Sequence, residues 1–244
     1  MKLKGKVALV TGGAKRVGRT IALGLAGRGC HVAITYRASR REAESTAAAI
    51  RRRGVRAIAV EADQRGGDQV QAAVREVESQ FGRVDVLVNN ASSFYPTPWR
   101  TVTETQWQDL IDTNLGGPWR FAQAVARGMK RRGQGKIINI VDVAVFSPWP
   151  AYLPYCAAKG GLMTLTLGLA KTLAPEIQVN GIAPGPILFP QGIGARDRRR
   201  AIEKTLLKRQ GSPEDILQSV LFLLEGSDFI TGVILPVDGG RLLV

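Results

Sequence analysis

Tyr155 and Lys159 stand four residues apart. The segment that follows, GLMTLTLGLAKTLA, spaces its apolar residues as a helix does, so both side chains project from one helix face. A phenol with an ordinary pKa of about 10 is a poor proton donor near neutrality, and an ammonium beside it favours the phenolate. This pairing makes Tyr155 a candidate general acid. Upstream, the apolar run KIINIV ends at Asp142, and a carboxyl that reaches the phenol can hold or pass its proton.

The elements that must position these groups alternate along the chain. KVALVTG, HVAITY, RAIAVEAD and VDVLVNN read as strands. Between them VGRTIALGLAGRG, the segment from about 40 to 53, and QVQAAVREVESQFG read as helices. Further on, the pattern predicts a helix over 104–131, a strand over 136–141, the Tyr155 helix, a strand at IQVNGIA, a helix after Pro213 and a last strand near VILPV. Alternation of this kind predicts an α/β fold with a single Rossmann-type doubly wound parallel sheet and helices on both faces. The near-continuous Val, Ile and Leu of the strands fit a sheet buried on both sides. One domain over 1–244 is expected, with the candidate residues at the C-terminal ends of strands, where open α/β sheets bind ligands.

The first strand runs into the turn TGGAKRVGR, where backbone amides and a helix N-terminus can hold a pyrophosphate. With the Tyr-x-x-x-Lys pair and the segment Asn89, Asn90, Ala91, this turn resembles the short-chain dehydrogenase/reductase family. The family usually has Ser where Asp142 stands, Gly where Arg16 stands and Gly where Ser92 stands. In all three departures, and in the run NNASSFYPTP, the chain is most similar to the pteridine reductases. The resemblance implies that Gly12, Lys15, Arg16, Val17 and Gly18 line the pyrophosphate, with the Arg16 guanidinium as a direct phosphate ligand. It also implies that Asp63 approaches the adenine and that Asn90, Ala91, Ser92, Pro184 and Gly185 lie along the dinucleotide. Lys159 would bind the nicotinamide ribose while tuning Tyr155, and Asn114 would help hold a water beside Lys159. After the second strand come Tyr36, Arg37 and Ser39 with no acid. A 2′-phosphate would be met there by charge and donors, so NADP(H) is the expected cofactor.

The implied reaction is hydride transfer to a ring C=N of a pterin, either a dihydropterin or dihydrofolate, with Tyr155 and Asp142 supplying the proton. An ionised Asp142 cannot donate to a ketone oxygen as a Ser hydroxyl does, which argues for a different acceptor. Arg16, Ser92, Phe94, Asp142 and Tyr155 would form the substrate site, with Phe94 stacking on the heterocycle. An NADPH-dependent carbonyl or 3-ketoacyl reductase is the alternative. Tyr152, at the longer spacing of the enoyl reductases, offers another acid, and a non-catalytic binding protein on this fold is a third class. The long connection carrying RDRRRAIEKTLLKR is expected to be a mobile flap, with Arg198, Arg199 and Arg200 attracting an acidic tail on the substrate.

Whole-chain properties limit the alternatives. With 244 residues, 45% of them hydrophobic, the chain can bury a substantial core. The charge is +14, but the arginines at 51–53, 131–132 and 198–200 are scattered and no nucleic-acid-binding motif accompanies them. Nucleic-acid binding is therefore disfavoured, and the partner expected is a small molecule. No apolar run is long enough to span a bilayer and none resembles a secretory leader, so a cytoplasmic protein is expected. Cys30, Cys156 and His31 lack metal-ligand spacing, and no metal is expected. The resemblance further implies a homo-tetramer built on the helices around 104–131 and 153–174.

Overall fold

A computed structural model describes residues 1–189 and 192–244. Its strands are β1 (Val7–Val10), β2 (His31–Tyr36), β3 (Ala57–Glu61), β4 (Val86–Asn89), β5 (Gly135–Ile140), β6 (Ile177–Pro184) and β7 (Ile234–Val237). The helices are α1 (Arg16–Gly27), α2 (Arg40–Arg51), α3 (Gly67–Phe81), α4 (Glu104–Ile111), α5 (Gly117–Arg131), α6 (Leu153–Leu173), α7 (Ala195–Glu203) and α8 (Pro213–Leu221). The strands form one seven-stranded sheet in the order β3-β2-β1-β4-β5-β6-β7, and every adjacent pair is parallel. This is the doubly wound α/β fold that the alternation of elements predicts.

Period-two alternation sorts the strand side chains between two cores. Ala8, Val10, Val32, Ile34, Val86 and Val88 pack under α1, α2 and α8. Val7, Leu9, Ala33, Leu87, Ile137 and Val179 pack against α3, α5 and α6. Both faces are covered, so the strands lack a polar side, and each fully buried Leu, Ile or Val contributes about 1.5–3 kcal/mol. The order reverses between β1 and β4, and the crevice at the carboxyl ends of these two strands is where such sheets bind ligands.

Two segments differ from the sequence expectation. The helix expected over 104–131 is interrupted by a π-type turn at Asp112–Gly116, between α4 and α5. Periodicity is blind to one extra residue per turn, and such widened turns gather at functional sites. Asn114 sits buried inside it. Part of the connection expected as a mobile flap is the helix α7, whose arginines 196, 198, 199 and 200 are all exposed. A helix with no buried residue carries no apolar stripe by which to read it. Residues 190–191 of that connection lie outside the described residues.

Candidate active site

The chemistry-bearing groups meet where β5 ends and α6 begins. Tyr155 and Lys159 both lie on the buried face of α6, one turn apart. Asp142 follows β5 as the N-cap of a short 3-10 turn, and its Oδ1 accepts the Ala144 N–H at 2.8 Å. Its Oδ2 accepts the Tyr155 hydroxyl at 2.7 Å. Lys159 donates from Nζ to the Ile140 carbonyl at 2.7 Å, and Nζ lies 5.8 Å from the centroid of the Tyr155 ring.

This geometry reverses one expectation. Lys159 was to lower the Tyr155 pKa, yet burial, followed by the adjacent Asp142, pushes the phenol well above its ordinary value. The ammonium is turned to a backbone carbonyl, and desolvation outweighs it. Burial also raises Asp142 from the usual carboxylate range, against the Ala144 amide, the Tyr155 hydroxyl and the charges of Lys159 and Arg241. Lys159 itself is pushed down by burial to about 8, with Asp142 acting in the opposite direction. The three groups titrate as a set. If protonated Lys159 is needed for turnover, kcat/KM of the free enzyme falls as pH rises through about 8. Removing the Asp142 charge takes away the influence that holds the lysine up, so Asp142→Asn is expected to move this falling limb to lower pH. A pH profile of both proteins checks it, and a limb that stays in place or moves up would contradict the coupling.

On the other side of the crevice, the β1–α1 turn is closed by close packing. Gly12 has φ +63°, and a Cβ there would come within 2.9 Å of Ala91 Cα. A Cβ on Gly18 would lie 2.3 Å from the Gly12 carbonyl oxygen. Asn90 braces the turn, its Nδ2 donating to the Thr11 carbonyl at 2.9 Å, while Thr11 Oγ1 accepts the N–H groups of Asn90 and Ala91 at 3.0 Å each. Lys15, exposed, is the N-cap of α1 and makes no side-chain cap bond, and the first turn carries no acid. Val17 is half-buried behind it. Arg16 has φ +54°, a left-handed conformation that costs a non-glycine residue about 1–3 kcal/mol, so it keeps the backbone of the glycine it replaces. Its guanidinium donates to the Leu188 and Phe189 carbonyls at 3.3 and 3.4 Å, tying this turn to the segment after β6.

The remaining candidates are placed as follows. Arg37 is exposed and Ser39 is the N-cap of α2. Tyr36 is buried, and its register partner Glu61 on β3 lies beside it, a carboxylate near the expected 2′-phosphate position that scanning β2 alone misses. Asp63 is engaged by Arg65, which holds its carboxyl below the usual range despite burial. Pro184 ends β6, and the Gly185 N–H donates to the Val237 carbonyl at 3.0 Å. Asn114 bonds to the loop after β4 and to α4. Its Oδ1 accepts the Ser92 hydroxyl at 2.6 Å and its Nδ2 donates to the Ser93 and Leu110 carbonyls. These bonds hold the loop after β4 against the π-type turn.

Phe94 belongs to an aromatic group that sequence reading largely missed. Its ring stacks on Tyr152 at 4.6 Å between centroids and meets Tyr155 edge-on at 4.8 Å, with Trp149 6.1 Å away. The Phe94 face is thus shared with Tyr152 rather than left open. Tyr95, Trp149 and Tyr152 pack with Tyr155 and Cys156, which no periodicity could signal because they come from two irregular loops.

A family model described as short chain dehydrogenase matches residues 6–198. The chain belongs to that family. It is a nicotinamide-dependent oxidoreductase of the short-chain dehydrogenase family. It is 39% identical over 242 residues to a 3-oxoacyl-[acyl-carrier-protein] reductase of Staphylococcus epidermidis, covering 98% of this chain and 99% of the relative. Among solved structures, a blue fluorescent protein from a metagenomic library in complex with NADPH is 35% identical with TM-score 0.92, covering 99% of each chain. An NAD+-bound xylitol dehydrogenase is 30% identical with TM-score 0.91, covering 98% of this chain and 100% of that one. The similarity to a 3-oxoacyl reductase favours the carbonyl-reducing alternative over the pterin-reducing expectation. The short-chain dehydrogenase cofactor fits the residues present: uncapped α1 amides, an acid-free first turn and glycines that let the backbone approach closely are what a pyrophosphate requires. No described helix is long and apolar enough to cross a membrane, and no metal-ligand cluster occurs among the described residues.

Proposed function

We propose that the chain is an NADPH-dependent reductase whose acceptor is a ring C=N of a pterin. The observation that carries this reading is the 2.7 Å hydrogen bond from the Tyr155 hydroxyl to Asp142 Oδ2. In the resting geometry the phenol proton points at a carboxylate, and no hydroxyl stands at 142 to donate to a ketone oxygen. A carboxylate there repels a developing alkoxide but stabilises a ring nitrogen that is gaining a proton. When bound, the reduced nicotinamide supplies a hydride to the ring carbon. Tyr155 and Asp142 then deliver one proton to the adjacent nitrogen, leaving a CH–NH bond. Burial, followed by the adjacent Asp142, raises Tyr155 well above its ordinary value, so the phenol keeps its proton near neutrality until the acceptor nitrogen takes it.

NADPH rather than NADH is supported by Arg37 and Ser39 and by the NADPH-bound solved structure, while Glu61 beside Tyr36 weighs against it. Phe94 and Tyr152 stack on each other beside Trp149, so a heterocycle would meet the outer faces and edges of this group. Asn114 fixes the Ser92 hydroxyl with its hydrogen engaged, so Ser92 faces a ligand as an acceptor. Exposed Leu153, Leu167 and Trp119 on α5 and α6 support assembly through these helices.

A second reading, reduction of a 3-oxoacyl thioester, is favoured by the named function of the Staphylococcus epidermidis relative. Purified protein with NADPH separates the two: oxidation on adding dihydrobiopterin but not acetoacetyl thioester supports the first, and the reverse supports the second. Substrate choice also bears on α7. Arg198 lies 5.8 Å over the Phe189 ring, so the arginines reach the segment after β6. Neutralising Arg198, Arg199 and Arg200 to Gln is expected to raise KM for dihydrofolate roughly threefold to tenfold, as exposed ion pairs do, with little change for dihydrobiopterin. Equal losses would remove the acidic-tail role.

A further inference from the structure

Asp63 and the substrate loop are joined by a line of charged hydrogen bonds that neither the fold nor the reaction requires. Asp63 Oδ1 accepts the Arg65 backbone N–H and Nε, both at 3.0 Å, and Oδ2 accepts the same Nε at 3.0 Å and Arg65 Nη2 at 2.6 Å. The other arm of the same guanidinium, Nη1, donates to Asp109 Oδ1 at 2.7 Å. Asp109 Oδ2 accepts the Tyr95 hydroxyl at 2.9 Å. The Tyr95 ring in turn packs with Leu110, Ala144, Tyr155 and Cys156. The line therefore starts at the end of β3, crosses α4, and ends on the reactive phenol's own packing group. Burial, then the bond to Asp109, raises Tyr95 to about 12, so its hydroxyl stays a donor throughout the working range.

We propose that Arg65 and Tyr95 are positioning residues through which occupation of the adenine end of the dinucleotide site holds the substrate loop, residues 91–97, in place. The proposal rests on the reading that Asp63 meets the adenine. The Arg65 side chain is 40% exposed and spans two carboxylates, and exposed ion pairs of this kind are weak, so both are open to exchange with water. Nε is shared between the two oxygens of Asp63, so a ligand donor at Oδ2 takes the place of this shared contact and leaves Nε on Oδ1 and Nη2 on Oδ2. Bound in this way it fixes the carboxylate, and with it the plane of a rigid five-donor fork. Asp109 and Tyr95 are then held at a lower entropic cost, and the loop bearing Phe94 is ordered before any substrate arrives. Lysine cannot substitute, because a point charge does not bridge two carboxylates in a fixed plane.

The probe is 2′,5′-ADP, which carries the adenine end and no nicotinamide and so cannot touch a substrate. The readout is hydrogen exchange of the amides in 93–99, above all Thr97, whose N–H donates to the Ala151 carbonyl at 2.7 Å across the loop. In the unaltered protein the nucleotide is expected to slow this exchange about fivefold, the low end of typical site-to-site coupling. Tyr95→Phe should abolish the slowing, and by reciprocity nucleotide affinity should fall by no more than about the same fivefold, since its ring and packing are kept. Arg65→Lys should also abolish it, which bulk charge alone would not do. Slowing that persists in either variant, or bound nucleotide with no slowing in the unaltered protein, would overturn the proposal. If Asp63→Ala binds the probe as tightly as the unaltered protein, the adenine reading of Asp63 falls while a slowing that depends on Arg65 and Tyr95 still stands. Failure of the probe to bind at all would remove both.

Discussion

Tyr155→Phe is expected to lower kcat about 10²- to 10⁴-fold, the range for removal of a general acid, while NADPH affinity changes less than about threefold. The ring packs among Leu110, Ala144 and Cys156, and phenylalanine fills the same space, so the pocket keeps its shape. What is lost is the one hydroxyl that touches Asp142. The carboxylate keeps the Ala144 amide but loses its second donor. The variant protein should therefore also bind a proton at Asp142 more readily, because the Tyr155 hydroxyl is one of the groups that favour the ionised form. Single-turnover and steady-state NADPH oxidation check the rate, and calorimetric titration with NADPH checks the affinity. A variant retaining more than about a tenth of the kcat would remove Tyr155 from proton delivery, because a sole general acid typically contributes about 10²- to 10⁴-fold.

The second large effect is at Asp142. Asp142→Ser is expected to cut dihydrobiopterin turnover at least about tenfold, somewhat below the usual range for acid-base groups because Tyr155 remains. The same change should hold or raise turnover of an acetoacetyl thioester, since a serine hydroxyl donates to a ketone oxygen where a carboxylate repels it. It also takes away the charge that sits closest to the phenol, and the Tyr155 pKa falls toward its ordinary value. The two substrates thus respond in opposite directions to one side chain. Unchanged or improved dihydrobiopterin turnover would remove Asp142 from the mechanism, and with it the hydrogen bond on which the pterin reading rests.

Much of the architecture is legible in the sequence. Runs such as KVALVTG and VDVLVNN can satisfy their apolar side chains only in strands covered on both faces, and each is followed by a segment with helical period. That local regularity is enough to specify a doubly wound parallel sheet and to put Tyr155 and Lys159 on one face of α6. The Gly-rich turn after β1 is equally readable, because no Cβ would fit at Gly12 or Gly18.

Tertiary structure alone decided which groups the reactive side chains actually serve. Sequence spacing brought an ammonium near a phenol, but only the fold shows Lys159 turned to the Ile140 carbonyl and Tyr155 to Asp142, so that burial and a carboxylate raise the pKa that proximity was expected to lower. Asn114 meets Ser92 because a π-type turn rotates it there, and Arg65 meets Asp109 across elements far apart in the chain. Helical and strand periods encode which face of an element is buried. Hydrogen bonds between irregular loops, and the desolvation of charges, depend on where separate elements come to rest against one another, and no repeating pattern in the chain records that.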